Sequence, residues 1–192
     1  FTQFENYTDP SALDKLFWGR TQIESSFALL YFEKGGHTQK IIHAIKYKSK
    51  HELADEMGKL IGDRMFSNKQ KYVGIEALIP IPLHPKKQYQ RGFNQSKLLA
   101  QGIAKSINIP VNLRLLKRVG HAKSQTKMGR FLRWDNIEQA FQCDKKELVR
   151  YKHIALVDDV VTTGSTIEAC VKRIHEMAPE LKITVISLAI TK

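Results

Sequence analysis

Three features of the chain predict an α/β fold, a parallel sheet flanked by helices on both faces. Short, continuous apolar runs such as Ile154-Ala155-Leu156-Val157 have the length and composition of strands covered on both sides. These runs alternate with segments whose apolar residues recur at helical spacing, the order that builds a parallel-type sheet. The third feature is the junction "HIALVDDVVTTGSTIEAC", His153 to Cys170. There an apolar run, two carboxylates and a hydroxyl-rich turn lead directly into a helix.

The elements follow in chain order. "SSFALLYF" is predicted as a strand and "KGGHTQ" as a turn into a helix. From Thr38 to Met65 the chain reads as helical, with Ile41, Ile42 and Ile45, then Leu53, Met57 and Leu60, along one side. "IEALIPIP" is a strand, "NQSKLLAQGIAKSI" an amphipathic helix, and "VNLRLLKRV" a strand of mixed faces. Ile167, Val171 and Ile174 mark a helix running to Met177, and "KITVISLAIT" is the closing strand. Residues 1–40 read as an N-terminal arm or small hood, whose Phe17, Trp18, Phe27 and Leu29 to Phe32 need covering. Residues 41–192 read as the core domain.

A length of 192 residues suits one domain with a sizeable core. No run approaches a transmembrane length, no secretory leader is read in the polar and aromatic start, and the expected location is cytoplasmic. Cys143 and Cys170 match no metal or redox spacing, so free thiols in a reducing compartment are expected. The net charge of +12 is concentrated in one place. Between Glu76 and Asp135 there are twelve Lys and Arg and no acid; the rest of the chain carries nineteen of each sign. Such a block fits either a site for one strongly anionic ligand or a nucleic-acid groove.

The junction has the chemistry of an anion site. A helix N-terminus offers unpaired N–H groups and the positive end of the helix dipole. Gly164 permits close backbone approach, and Thr162, Thr163, Ser165 and Thr166 add hydroxyl donors around one small group. Carboxylates repel phosphate, so Asp158 and Asp159 need a separate purpose. As acceptor-only groups they suit a cis-diol beside the phosphate, and a ribose 5-phosphate carries both. The alternative is structural, with Asp159 starting a turn and the hydroxyls capping a helix. An ATPase-type acidic pair would require a G-x-x-x-x-G-K-[ST] loop, which the chain lacks.

"IALVDDVVTTGST" closely resembles the phosphoribosyl pyrophosphate (PRPP) signature of the type I phosphoribosyltransferases. "LIPIPLHPKKQYQRGFNQSKLLAQGIAK" and "RVGHAKSQTKMGRFLRWDNIEQAF" resemble the ComF/GntX branch of that family, the competence-associated homologues. The resemblance runs from about Ile41 onward. It implies a Rossmann-like sheet with a small hood, and transfer of a phosphoribosyl group from PRPP to an unidentified nitrogen acceptor with release of pyrophosphate. Asp158 and Asp159 would hold the ribose hydroxyls and stabilise positive charge on the ring. Residues Thr162, Thr163, Gly164, Ser165 and Thr166 would hold the 5-phosphate. The pyrophosphate loop falls at Leu83, His84 and Pro85, with Arg91, Asn94 and Gln95 as ligand or bracing groups. A closing lid would carry Arg118, Lys123, Gln125 and Arg130, excluding water while pyrophosphate departs.

Mg²⁺ is implied with PRPP, held mainly by the ligand and water. Members of the branch commonly carry an N-terminal zinc module with paired cysteines; this chain has no such pair, so no zinc is expected. The association with competence adds single-stranded DNA as a second partner, with Tyr89, Phe93, Phe131 and Trp134 as the aromatics available for stacking. A PRPP sensor without turnover and a homodimer are also compatible with the sequence.

Overall fold

The computed structural model describes residues 1–6, 9–47, 50–67, 72–119 and 140–191. In chain order its elements are α1 (Ala12–Leu16), β1 (Ser25–Phe32), α2 (His37–Tyr47), α3 (His51–Ser67), β2 (Ala77–Pro80), α4 (Pro85–Arg91) and α5 (Gln95–Ile107). There follow β3 (Leu116–Arg118), β4 (Phe141–Cys143), α6 (Lys145–Leu148), β5 (His153–Val161), α7 (Ser165–His175) and β6 (Lys182–Thr191). The main sheet is four-stranded, in the order β1-β6-β5-β2, and its paired strands are parallel. This is the predicted α/β class.

Three differences from the sequence reading reshape the sheet and its flanks. Ser25–Phe32 does not stand apart in an arm; it pairs with β6 from Ser25↔Thr184 to Phe32↔Thr191 as an edge strand of the sheet. That pairing places β6 inside the sheet, which explains why its middle residues are buried on both faces. The segment from Thr38 to Met65 is two helices, α2 and α3, and not one. "VNLRLLKRV" is broken: Val111 only bridges Leu78, then the Asn112 side chain accepts from the N–H groups of Arg114 and Leu115 and turns the chain. What remains is the short β3, antiparallel to β4, and the two strands bracket residues 120–139.

Alternation along β5 sends Ile154 and Leu156 to one face, against Phe17, Phe141, Ile167, Val171 and Ile174. Ala155 and Val157 face the other side, against Ile45, Ile61, Leu99 and Ile103 of α2, α3 and α5. On that side α3 and α5 cross at a glycine seam. A Cβ on Gly58 would stand 2.3 Å from the Leu99 carbonyl, and one on Gly102 would stand 2.1 Å from the Asp55 carbonyl. No side chain fits there, so α5 is held hard against its neighbour and its N-terminus is fixed at the carboxyl edge of the sheet.

Among the described residues no helix is long and apolar enough to cross a membrane.

Candidate active site at the carboxyl edge

β5 runs through both aspartates before it ends at Val161, because its ladder with β6 continues through Asp158↔Ser187 and Val161↔Ile190. The acidic pair therefore stands on rigid strand. After it, Thr162 and Thr163 are exposed, and Gly164 turns the chain into α7 with φ +76°. Gly164 occupies the N-cap position, where no side chain can bond the free N–H groups of the first turn. The Thr163 and Ser165 hydroxyls lie 3.0 Å apart. These two hydroxyls bond each other, and the N-cap position itself carries no side-chain cap.

The two carboxylates have separate partners. Asp158 Oδ1 accepts from the Ser96 hydroxyl at 3.1 Å and from the Asp159 N–H at 2.8 Å. Asp159 Oδ2 is paired with Lys46 Nζ at 2.8 Å, with 14% of its side chain exposed. The pair is thus engaged by the protein's own donors, which occupy acceptor positions that a diol would use. Burial, and then the adjacent Asp159, push Asp158 up to about 7, against the pull of the Asp159 N–H, Ser96 and Lys46. Ionised Asp158 is held at a cost, the condition of a carboxylate that gains from an incoming donor or cation.

"PIPLHPKKQYQRGFNQS" is more ordered than a loop. Pro82 has no N–H to continue the β2 ladder past Ile81. His84 then caps α4, its Nδ1 accepting from the Lys86 N–H at 3.2 Å, with Pro85 in the first turn. Gly92 ends α4 in the left-handed region. Asn94 caps α5 through its Oδ1 to the Ser96 N–H, and its Nδ2 donates to the Ile81 carbonyl at 3.0 Å. It braces the loop against the helix. Arg91 donates to Gln95 Oε1 at 3.1 Å and lies 5.4 Å from the Tyr47 ring centroid. Gln95 is fully buried, and its Nε2 has no hydrogen-bond partner among the described residues.

The structure brings several predicted residues around one cleft. Leu83, Pro85, Asn94 and Arg118 line a cavity of about 540 Å³ together with Pro80, Pro82, Gln88, Lys97 and Lys117. Arg118 lies over Phe141, 5.1 Å from the ring centroid. Its Nε is buried without a partner among the described residues, and burial lowers its pKa while Asp158 supports its charge. A guanidinium in that state favours an anion with which it can share donors. Lys123, Gln125 and Arg130 lie outside the described residues.

Sequence reasoning missed Ser96 and Lys46. Ser96 directly follows the predicted site residue Gln95, but no motif marks its hydroxyl as a partner of Asp158. Lys46 is 113 positions from Asp159, and no local pattern could pair them. Among the described residues no cluster of three or more His, Cys, Asp and Glu could cage a metal ion. Cys143 and Cys170 are free, and burial pushes both thiols up, Cys143 to about 11, which keeps them protonated and unreactive.

A parallel sheet with an acidic pair and an uncapped, hydroxyl-rich turn at the end of one central strand defines a phosphoribosyltransferase-like protein. The PRTase-CE family model matches residues 32–192, and the chain belongs to that family, a ComF-like group related to the phosphoribosyltransferases. It is 38% identical to Competence protein F of Haemophilus influenzae over 106 residues, 55% of this chain and 46% of that protein. It is 28% identical to DNA utilization protein YhgH of Escherichia coli K12 over 130 residues, 66% of this chain and 56% of that protein. The chain spans about half the length of these curated relatives.

Proposed function

We propose that this protein binds PRPP at the carboxyl edge of its sheet and transfers the phosphoribosyl group to a nitrogen acceptor. The observation that carries the reading is the meeting of the acidic pair and the uncapped α7 N-terminus at the end of β5. The 5-phosphate takes the free N–H groups and hydroxyls of residues Thr162 to Thr166. Asp158 and Asp159 accept from the ribose hydroxyls, and Lys46 must share or give up Asp159 when they arrive. The pyrophosphate lies in the cleft beside Leu83 to Pro85, near Arg118 and Lys117.

The residues present fit a diphosphate-bearing sugar in charge and donor type. Mg²⁺ bound with PRPP would offset charge on the pyrophosphate, with Asp158 and Asp159 the carboxylates nearest to hand. The bond from the anomeric carbon to the pyrophosphate oxygen breaks, and that oxygen keeps the electron pair. The acceptor nitrogen supplies the electron pair of the new bond and loses a proton to the departing pyrophosphate or to water. Asp158 and Asp159 stabilise positive charge on the ring, and Arg118 stabilises the departing anion.

Titration of PRPP with Mg²⁺ into wild type and an Asp158→Asn/Asp159→Asn variant tests this. The variant should lose at least tenfold in affinity; equal affinity would refute the diol role. Binding without release of pyrophosphate in the presence of ammonia or nucleobases would leave a PRPP sensor.

A second reading, single-stranded DNA handling, rests on a different observation. On α4, Lys86, Lys87 and Tyr89 are exposed, Tyr89 by 92%, and Tyr47 beside Arg91 is exposed by 63%. Interleaved cations and aromatic rings at one edge suit stacked bases and phosphates. The names of the relatives favour the same reading. Oligonucleotide binding with and without saturating PRPP separates the cases: exclusion means shared cations, and independence means two sites.

A further inference from the structure

The N-terminal arm holds the phosphate turn from behind, through a residue that no motif marks. Arg20 Nη1 donates to the Thr163 carbonyl at 2.7 Å and to the Leu16 carbonyl at 3.2 Å. Its Nη2 pairs with Glu168 Oε2 at 2.5 Å. Glu168 is buried, with only 8% of its side chain exposed, and lies in the first turn of α7. One guanidinium therefore ties three things together: the end of α1, the turn, and the helix whose N-terminus the turn exposes. Leu16 and Phe17 press on the same place, since a Cβ on Gly164 would stand 2.9 Å from the Phe17 ring and 3.2 Å from Leu16.

We propose that Arg20, with Glu168, is a positioning residue for the 5-phosphate. This role rests on the PRPP reading above. In a trans peptide the C=O and the following N–H point in opposite directions. Anchoring the Thr163 carbonyl on Arg20 therefore turns the Gly164 N–H away from the arm. That N–H has no hydrogen-bond partner among the described residues. Without the anchor, a turn with two exposed threonines and a glycine at positive φ is free to rotate this peptide, and a donor is lost from the cradle. The guanidinium reaches two carbonyls from one nitrogen and a carboxylate from another, a spread that a single ammonium nitrogen does not match, so lysine is a poor replacement. Arg20 lies before the residues that the family model matches, so the device belongs to the arm and not to the signature.

The test uses two probes that read the two ends of the ligand separately. Ribose 5-phosphate and inorganic pyrophosphate are titrated by calorimetry into wild type, Arg20→Ala, Arg20→Lys and Glu168→Gln. Arg20→Ala should weaken ribose 5-phosphate about tenfold, the equivalent of one charge-assisted hydrogen bond, and leave pyrophosphate within about twofold. Arg20→Lys should recover less than half of that loss. Glu168→Gln keeps the shape, loses the charge and should show a smaller loss in the same direction, so the case stands even if Arg20→Ala fails to fold. Equal weakening of both probes would reduce Arg20 to a stability role and overturn the proposal, as would unchanged ribose 5-phosphate affinity. If wild type binds neither probe, the PRPP reading itself fails and this inference falls with it.

Discussion

The two halves of the proposed site are built in opposite ways. The β5–α7 half is contiguous: ten residues from Val157 to Thr166 contain strand end, acids, turn and helix start. The cleft half is assembled from the end of β2, the α4–α5 corner and β3, segments brought together only by the sheet and the glycine seam. The contiguous half depends on backbone geometry, the cleft half on side-chain charge. Each should therefore break in its own way, and on the proposed PRPP reading ribose 5-phosphate and pyrophosphate should report on them independently.

The largest effect is expected at Gly164. Its φ of +76° and the Phe17 ring 2.9 Å from a built Cβ leave no place for a side chain. Gly164→Val should cost about 2–4 kcal/mol in urea unfolding and abolish ribose 5-phosphate binding. Pyrophosphate should still bind to the protein that remains folded.

Next comes Asp158, where stability and function oppose each other. Its folded pKa is raised to about 7 from 3.8. The folded state thus holds the proton more tightly than the unfolded chain. The stabilisation is full below about pH 4 and is lost as pH rises through 7. Asp158→Asn should remove that dependence and raise stability at pH 8 by an amount on the order of a few kcal/mol, while weakening PRPP. Urea midpoints at pH 4.5 and pH 8 measure it; a variant less stable than wild type at pH 8 would contradict it.

A smaller, mirror-image effect is expected in the cleft. Arg118→Met should weaken pyrophosphate about tenfold, leave ribose 5-phosphate unchanged and leave stability within about 1 kcal/mol, since an unpartnered buried donor is replaced by an apolar stem. The smallest is Lys46→Met. Removing the cation from Asp159 should move Asp158 further upward, a small shift read by carboxyl NMR titration.

The same contrast explains what the sequence could reveal. The β5–α7 junction was readable because its chemistry lies within consecutive residues, as were β1, α5 and β6, whose apolar patterns are long. β2 was readable as an element, although Pro82 cut it short of the expected length. The split between α2 and α3 was not readable, because the apolar spacing carries across it. The Asn112 turn hid within a run that alternates like a strand, since a side chain that accepts from two backbone N–H groups overrides propensity. Arg118 could be nominated only through its family-like segment, and its place beside Phe141 and Asp158 is a consequence of topology. Lys46 and Arg20 could not be found at all, because their partners lie more than a hundred positions away.

The most direct measurement is a competition experiment on wild type with labelled PRPP and Mg²⁺. Ribose 5-phosphate and pyrophosphate should each displace PRPP, yet each should bind to protein already saturated with the other. If the two exclude one another, or if neither displaces PRPP, the two-part site at the carboxyl edge is wrong.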